Sequence, residues 1–232
     1  MTITAPSDDI QRFYGGAQPG DIPLYSYAAA SKYIGAPEST VRWWAQGRRA
    51  DGYEPVIATH EGGLSFFDLL ELHAVNQLRR VHGVKLSTIR DAVRYAKREL
   101  GLERPLLHED LSTFGRDIFI GHLGELIGLS LGGQLAIRQI VDRYLSRLDR
   151  DAGRLPVRFY PDFRGVERVE GQKPISISPL VAFGKPTLAN TAVRTAVVAA
   201  RVDAGEPVRT VADDYQVPVE VVESAVLYER AA

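Results

Sequence analysis

Few residues in this chain could do chemistry, and their spacing rules most of them out as sites. The five histidines are His60, His73, His82, His108 and His122; none forms a His-x-x-x-His pair or follows another metal-ligand pattern. Cysteine is absent, which excludes disulfides, cysteine–zinc sites and thiol catalysis. His108-Glu109-Asp110 is the one acid–base cluster. Adjacent residues alternate on a strand and fan out on a helix, so the three read as a polar loop. Asp213-Asp214 offers a carboxylate pair, open at this point between metal ligation and packing. Gly62-Gly63 and Gly132-Gly133 are turns, and neither precedes the Gly-Lys-Ser/Thr of a phosphate loop. No catalytic residue, metal or cofactor is expected, so the chain reads as a binding protein and not an enzyme.

The stretch Glu38–Gly47, ESTVRWWAQG, is different: it places Arg42 beside Trp43 and Trp44, the only tryptophans, just ahead of Arg48 and Arg49. Successive helical residues turn by about 100°, so these three cannot share a face. Val41 and Trp44, three apart, are expected to pack inward against Tyr33 and Ile34. Ser39, Arg42, Trp43 and Gln46 then look outward. Arginine neutralises phosphate or reads guanine bidentately, and a tryptophan ring lies along sugar-phosphate or over an arginine. The expected DNA-facing set is Ser39, Thr40, Arg42, Trp43, Gln46, Arg48 and Arg49.

The elements that must position this set can be read from punctuation and period. Residues 1–24 carry three prolines and three glycines and read as a flexible arm. Helices are expected over Tyr27 to Ile34 and Pro37 to Gln46, separated by Gly35-Ala36 and closed by Gly47, a helix-turn-helix pattern. Val56-Ile57-Ala58 and Leu64-Ser65-Phe66 suit a hairpin around Glu61-Gly62-Gly63. From Asp68 the spacing of Leu69, Leu72, Val75 and Leu78 is helical, Gly83 closes that helix, and Ser87 is the expected N-cap of another carrying Ile89, Val93 and Ala96. Farther on, RDIFIGHLGELIGLS reads as two short strands around His122-Leu123-Gly124. An amphipathic helix is expected over 134–149, a candidate dimer seam although such stripes more often face their own core. LPVRFYP reads as a strand ending at Pro161. After an extended piece, helices are expected over about 192–204 and over Val208 to Tyr215, then a turn at Gln216-Val217-Pro218, and a last helix to about Tyr228.

Tyr27 to Leu100 resembles the winged helix of MerR-like regulators, on the order helix, turn, TVRWW helix, glycine-turn wing, then FFDLLELHAVNQLRRVHGVKLSTIRDAV. That resemblance implies a second helix in the major groove with the wing beside it. The tail resembles the C-terminal helix-turn-helix domain of VapB-type antitoxins, on Gly184-Lys185-Pro186, Thr191, Gly205-Glu206, Val211-Ala212, Asp214-Tyr215, Val221, Ala225 and Tyr228. In that pattern Asp214 is a packing residue. Two positions depart: Leu64 and Ser65 stand where a wing arginine is usual, and Ala192 where an arginine normally follows the threonine.

The fold class expected is mainly α with short β elements (α+β). Its parts are a flexible arm at 1–24, a MerR-like winged helix at 25–101, an α+β middle segment with possible dimerisation at 102–165, and a homeodomain-like helix-turn-helix antitoxin-family domain at 166–232. The 232 residues are 45% apolar and 25% charged, with net charge −1, so any nucleic-acid footprint is local. Residues 25–98 hold eleven Lys/Arg against seven Asp/Glu, a local +4. No long apolar run and no signal-peptide pattern is present, which makes the cytoplasm the expected location. The resemblance implies an antitoxin that neutralises a PIN-type (VapC-like) ribonuclease toxin and represses their operon as a homodimer on operator DNA. Arg194, Arg201 and Arg209 are the toxin-contact candidates. The alternative is a MerR-like transcriptional regulator without a toxin.

Overall fold

The computed structural model describes residues 14–48, 52–57, 59, 62–107, 120–125, 128, 138–139, 141–162 and 173–231. Four helices form the head: α1 (Tyr27–Ile34), α2 (Glu38–Gln46), α3 (Phe66–His82) and α4 (Leu86–Leu100). Ser26 caps α1 by accepting the Ala29 N–H at 3.1 Å. α2 ends at Gly47, whose φ of 72° and ψ of −171° suit only glycine. A Cβ there would sit 2.3 Å from the Tyr53 carbonyl oxygen, so the chain can reverse at this point and pair Arg48 with Tyr53 only with glycine in place.

α3 starts earlier than its leucine spacing suggests. Ser65 accepts the Asp68 N–H while Asp68 accepts the Ser65 N–H, a reciprocal capping box that fixes Phe66 as the first helical residue. The expected second strand, Leu64-Ser65-Phe66, is therefore replaced: Leu64 pairs with Tyr25, and Phe66 is helical. Every residue from Leu64 to Asn76 is buried, so the first three turns of α3 are enclosed on all sides, while Gln77, Arg79 and Arg80 reach the surface.

Enclosure takes four polar side chains out of water. Arg104 meets two of them, at 3.1 Å from Asp68 and 2.8 Å from Glu71, and reaches Asp21 at 2.9 Å. Removing one member of such a buried network costs about 3–5 kcal/mol. Asn76 donates to the Ile34 carbonyl at 2.7 Å and ties α3 to α1. His73 lies against Phe159, ring centres 4.7 Å apart, and neither ring nitrogen has a hydrogen-bond partner among the described residues.

The sequence reading of 1–24 as a flexible arm does not extend to its last residues. Pro19 and Gly20 are buried, Asp21 meets Arg104, and a Cβ on Gly20 would fall 2.3 Å from the Phe67 ring. In the middle segment, residues 120–125 are helical instead of two strands about a turn, because Ile120 and Leu123, three apart, both enter the core. The expected 134–149 helix ends sooner: 138–139 and 141–145 are helical, and Leu148 begins β1 (Leu148–Arg150). Leu135, Ile137 and Ile140 lie outside the described residues. Val141 and Tyr144 are buried in the chain's own core, with the Tyr144 hydroxyl donating to the Leu106 carbonyl, so that part of the dimer-seam candidate is already occupied.

β1 pairs antiparallel with β2 (Pro156–Phe159), and β3 (Ile175–Ser176) with β4 (Thr187–Leu188). Phe159 and Ile177 exchange both backbone hydrogen bonds at 2.8 Å, so pairing crosses from the middle segment into the tail. The tail continues with α5 (Thr195–Asp203), α6 (Val208–Tyr215) and α7 (Val219–Ala231). It is docked on the head. The Tyr14 hydroxyl donates to the Pro179 carbonyl at 2.8 Å, and a Cβ on Gly184 would meet the Tyr25 hydroxyl at 2.3 Å. Ala182 and Phe183, at φ 48° and 53°, hold the left-handed backbone that brings Gly184 there. One apolar core runs from Tyr25 to Tyr228.

Two buried groups on α3 pull the pH dependence of stability in opposite directions. Burial holds His73 down to about 4, from 6.5, so its contribution is full above 6.5 and is lost as pH falls toward 4. Burial, opposed by Arg104, raises Glu71 from 4.5 to about 7, so its contribution is full below 4.5 and is lost as pH rises through 7. The two offset each other where their windows overlap. Glu71→Gln is therefore expected to unmask a rise in stability with pH as His73 loses its proton in the unfolded chain, and His73→Phe a fall over the Glu71 window. Urea titrations across acid to neutral pH measure both slopes, and identical profiles for the two variants would refute the assignment.

Candidate nucleic-acid interface

Placement of α2 follows from its buried residues Val41, Trp44 and Ala45. Val41 is 0% and Trp44 2% exposed, as their spacing predicts, and the Val56 N–H donates to the Trp44 carbonyl at 2.9 Å. That bond lays the segment after the Arg48–Tyr53 pairing alongside α2. Ser39, Arg42, Gln46 and Arg48 are exposed and Thr40 is half-buried. Arg49 lies outside the described residues.

Arg42 is pre-positioned. Its guanidinium bonds Glu38 at 2.8 Å, one turn back, and lies 4.4 Å from the centre of the Tyr27 ring. Half its side chain stays exposed. Pairs of this type on a helix surface contribute only tenths of a kcal/mol, so a phosphate can displace Glu38 at little cost.

Trp43 departs from the simple outward picture. It is half-buried against the core, its ring edge-on to Tyr53 at 6.1 Å, with Arg48 5.7 Å from the ring centre. Its indole N–H has no partner among the described residues. Trp43 thus props the hairpin-like turn while part of its ring faces outward.

Between α1, α2 and the segment after the turn lies an open cleft of about 1080 Å³, bordered by Tyr27, Glu38, Arg42, Gln46 and Gly47 on one side and by Pro55 and Ile57 on the other. Of the expected wing hairpin, Val56 and Ile57 form bends instead of a strand, because both side chains turn into the core, and Ala58 and Glu61 lie outside the described residues. Leu64 and Ser65, where the resemblance would place an arginine, are both fully buried, which leaves no room there for an exposed cation. Sequence reasoning missed Tyr27 and Tyr53. Tyr53 could have been suspected, because a turn at Gly47 must bring something back against Trp43.

In the tail, Arg194 and Arg209 are exposed. Arg201 is committed internally: it grips Glu206 through Nε at 2.9 and 3.0 Å, meets Asp214 at 2.5 Å, and lies 5.2 Å from the Tyr215 ring centre. Its hydrogen bonds to Glu206 and then to Asp214 raise its pKa still further. Asp214 is thus a partner of Arg201 that pins α6 to the end of α5. No group of three metal-ligating side chains occurs among the described residues. The His108-Glu109-Asp110 cluster lies outside them. No helix among the described residues is long and apolar enough to cross a membrane.

The architecture is mostly helical with small antiparallel sheets, and its tail carries a recognised domain: a family described as a protein of unknown function (DUF433) matches residues 175–228. Over 228 residues the chain is 28% identical to a Mycobacterium tuberculosis protein named "Putative antitoxin VapB45", covering 85% of this chain and 90% of that one. It is also 27% identical over 225 residues to the Mycobacterium tuberculosis protein Rv2308, covering 90% and 91%. The crystal structure of Rv2018 from Mycobacterium tuberculosis matches with a TM-score of 0.69 at 26% identity, over 89% of this chain and 98% of that one.

The two tryptophans separate cleanly by burial. Trp44→Ala is expected to destabilise the chain by about 3–5 kcal/mol, as truncation of a fully buried tryptophan does. Trp43→Ala is expected to cost about 1–2 kcal/mol, since only part of its ring is buried. Chemical denaturation of both variants measures the difference, and the reverse order would invert the face assignment of α2.

Proposed function

We propose that this chain is the antitoxin of a type II toxin–antitoxin pair, a binding protein rather than an enzyme. It neutralises a PIN-type (VapC-like) ribonuclease toxin and represses their shared operon by binding operator DNA. The observation that carries this reading is similarity to a protein named as an antitoxin that spans head and tail together. The presence of the DUF433 match within that span supports it.

On this reading the head is a MerR-like DNA-binding unit. α2 enters the major groove with Ser39, Thr40, Arg42 and Gln46 toward the bases or phosphates, and Arg48 and Arg49 add charge at its end. The local +4 over residues 25–98 supports this division of labour. With Leu64 and Ser65 buried at the wing, a single head neutralises few phosphates, so useful affinity calls for two heads on one duplex. A homodimer on an inverted repeat, half-sites about one helical turn or its multiple apart, follows.

The tail presents the toxin-facing surface. A PIN-type active site gathers carboxylates around a metal, and a cation inserted there would replace the metal's charge. Arg194 and Arg209 are available for that role, whereas Arg201 already holds Glu206 and Asp214.

Co-expression with the product of the adjacent gene tests the pair. The expected result is co-purification with loss of ribonuclease activity, reversed by Arg194→Glu together with Arg209→Glu. Arg42→Ala is expected to lower affinity for upstream DNA and to shallow its salt slope by about 0.9, one phosphate's worth. DNA binding with no captured nuclease would instead identify a MerR-like transcriptional regulator without a toxin.

A further inference from the structure

The irregular segment 54–57 bordering the α2 cleft has a second side. Pro55 and Ile57 border the cleft toward α2 and also a separate cleft of about 460 Å³ toward α4. The α4 wall of that second cleft carries Arg90, Arg94, Lys97 and Arg98. Residues three and four apart lie along one helix face, so Arg90, Arg94 and Lys97 form a cationic row beside the cleft.

This row is joined to α2 by alternating cations and aromatic rings. Arg48 stands over Trp43 at 5.7 Å, Trp43 meets Tyr53 edge-on at 6.1 Å, and Arg90 stands over Tyr53 at 6.0 Å. Tyr53 is 49% exposed although it is a large aromatic. Arg90 buries its Nε–H with no acceptor among the described residues. Arg94 is partly neutralised by Glu54 at 2.6 Å and Asp91 at 3.9 Å, and Arg98 by Glu99 at 2.6 Å. Neither Arg90 nor Lys97 has a carboxylate within 4.0 Å among the described residues, although Glu71 attracts Lys97 from the α3 side.

Two of the four cations on this cleft, Arg90 and Lys97, are left without a close carboxylate, and a polyanion lying in the cleft would supply one. Guanidinium groups interleaved with exposed rings suit a sugar-phosphate backbone, where charge meets phosphate and rings lie on sugar or base edges. We infer that the cleft between α4 and residues 54–57 is a second nucleic-acid contact, taking backbone phosphates of the duplex flanking the site that α2 reads. Arg90 and Lys97 are its phosphate ligands, Tyr53 its packing surface, and Glu54 a restraint that competes for Arg94. The inference rests on the DNA-binding reading above. It also supplies the phosphate contacts that the buried Leu64 and Ser65 cannot.

Fluorescence anisotropy of the full chain tests it on two labelled duplexes, one from upstream of its own gene and one of random sequence, over a range of salt. Arg90→Gln with Lys97→Gln is expected to weaken both duplexes by the same factor and to shallow the salt slope by about 1.8, two phosphates' worth. Glu54→Gln is expected to do the opposite, tightening both and steepening the slope by about 0.9 as Arg94 is released. A gain of this kind cannot come from a misfolded variant. Unchanged slopes for both variants, while Arg42→Ala still weakens binding, would overturn the inference and leave the α2 reading standing. Failure of the unmodified chain to bind either duplex would overturn both. Loss of a co-purifying nuclease without any change in DNA binding would reassign the cleft to a protein partner and overturn it as well.

Discussion

The head depends on one cation. Arg104 places its guanidinium where Asp68 and Glu71 have been carried out of water by α3, and it draws in Asp21 from the segment before α1. Without that charge, the enclosed turns of α3 would hold two carboxyl groups against burial with no paired cation to offset it. With it, three stretches far apart in sequence are fixed together, and α1 and α2 gain a rigid base. The exposed face of α2 is positioned because the buried face of α3 is satisfied.

Much of this could be read from local pattern. The ends of α1 and α2, the Val208–Tyr215 helix and the inward placement of Val41 and Trp44 all follow from caps, prolines and spacing. What could not be read depended on distant partners. Asp68, Glu71 and His73 suggest a solvent-facing side until Arg104 and Phe159 are seen against them. Residues 120–125 mix isoleucine with glycine, and a short apolar run does not distinguish strand from helix; only the Ile120–Leu123 interval favoured the helix. The half-burial of Trp43 required knowing that the turn after Gly47 returns Tyr53 to it.

The same holds for the surface proposed to meet DNA. Arg42 was legible because it sits beside tryptophans on a short helix. The cationic row on α4 was visible as composition, but its relation to α2 was not. That relation exists because the segment 54–57 runs between the two helices and borders a cleft on each side. In the tail, three arginines were equivalent as letters. Folding separates them, since Arg201 is spent on Glu206 and Asp214 in closing the α5–α6 corner.

Head and tail meet through the Gly184–Tyr25 approach and through the paired backbones of Phe159 and Ile177. A processive unfolding machine that seizes either end of this chain therefore meets a shared mechanical load. Pulling out α7 strips cover from Tyr25 and Tyr33, and pulling the segment before α1 withdraws Asp21 from Arg104. Loss of either half therefore uncovers packing surface and unpairs backbone groups on the other.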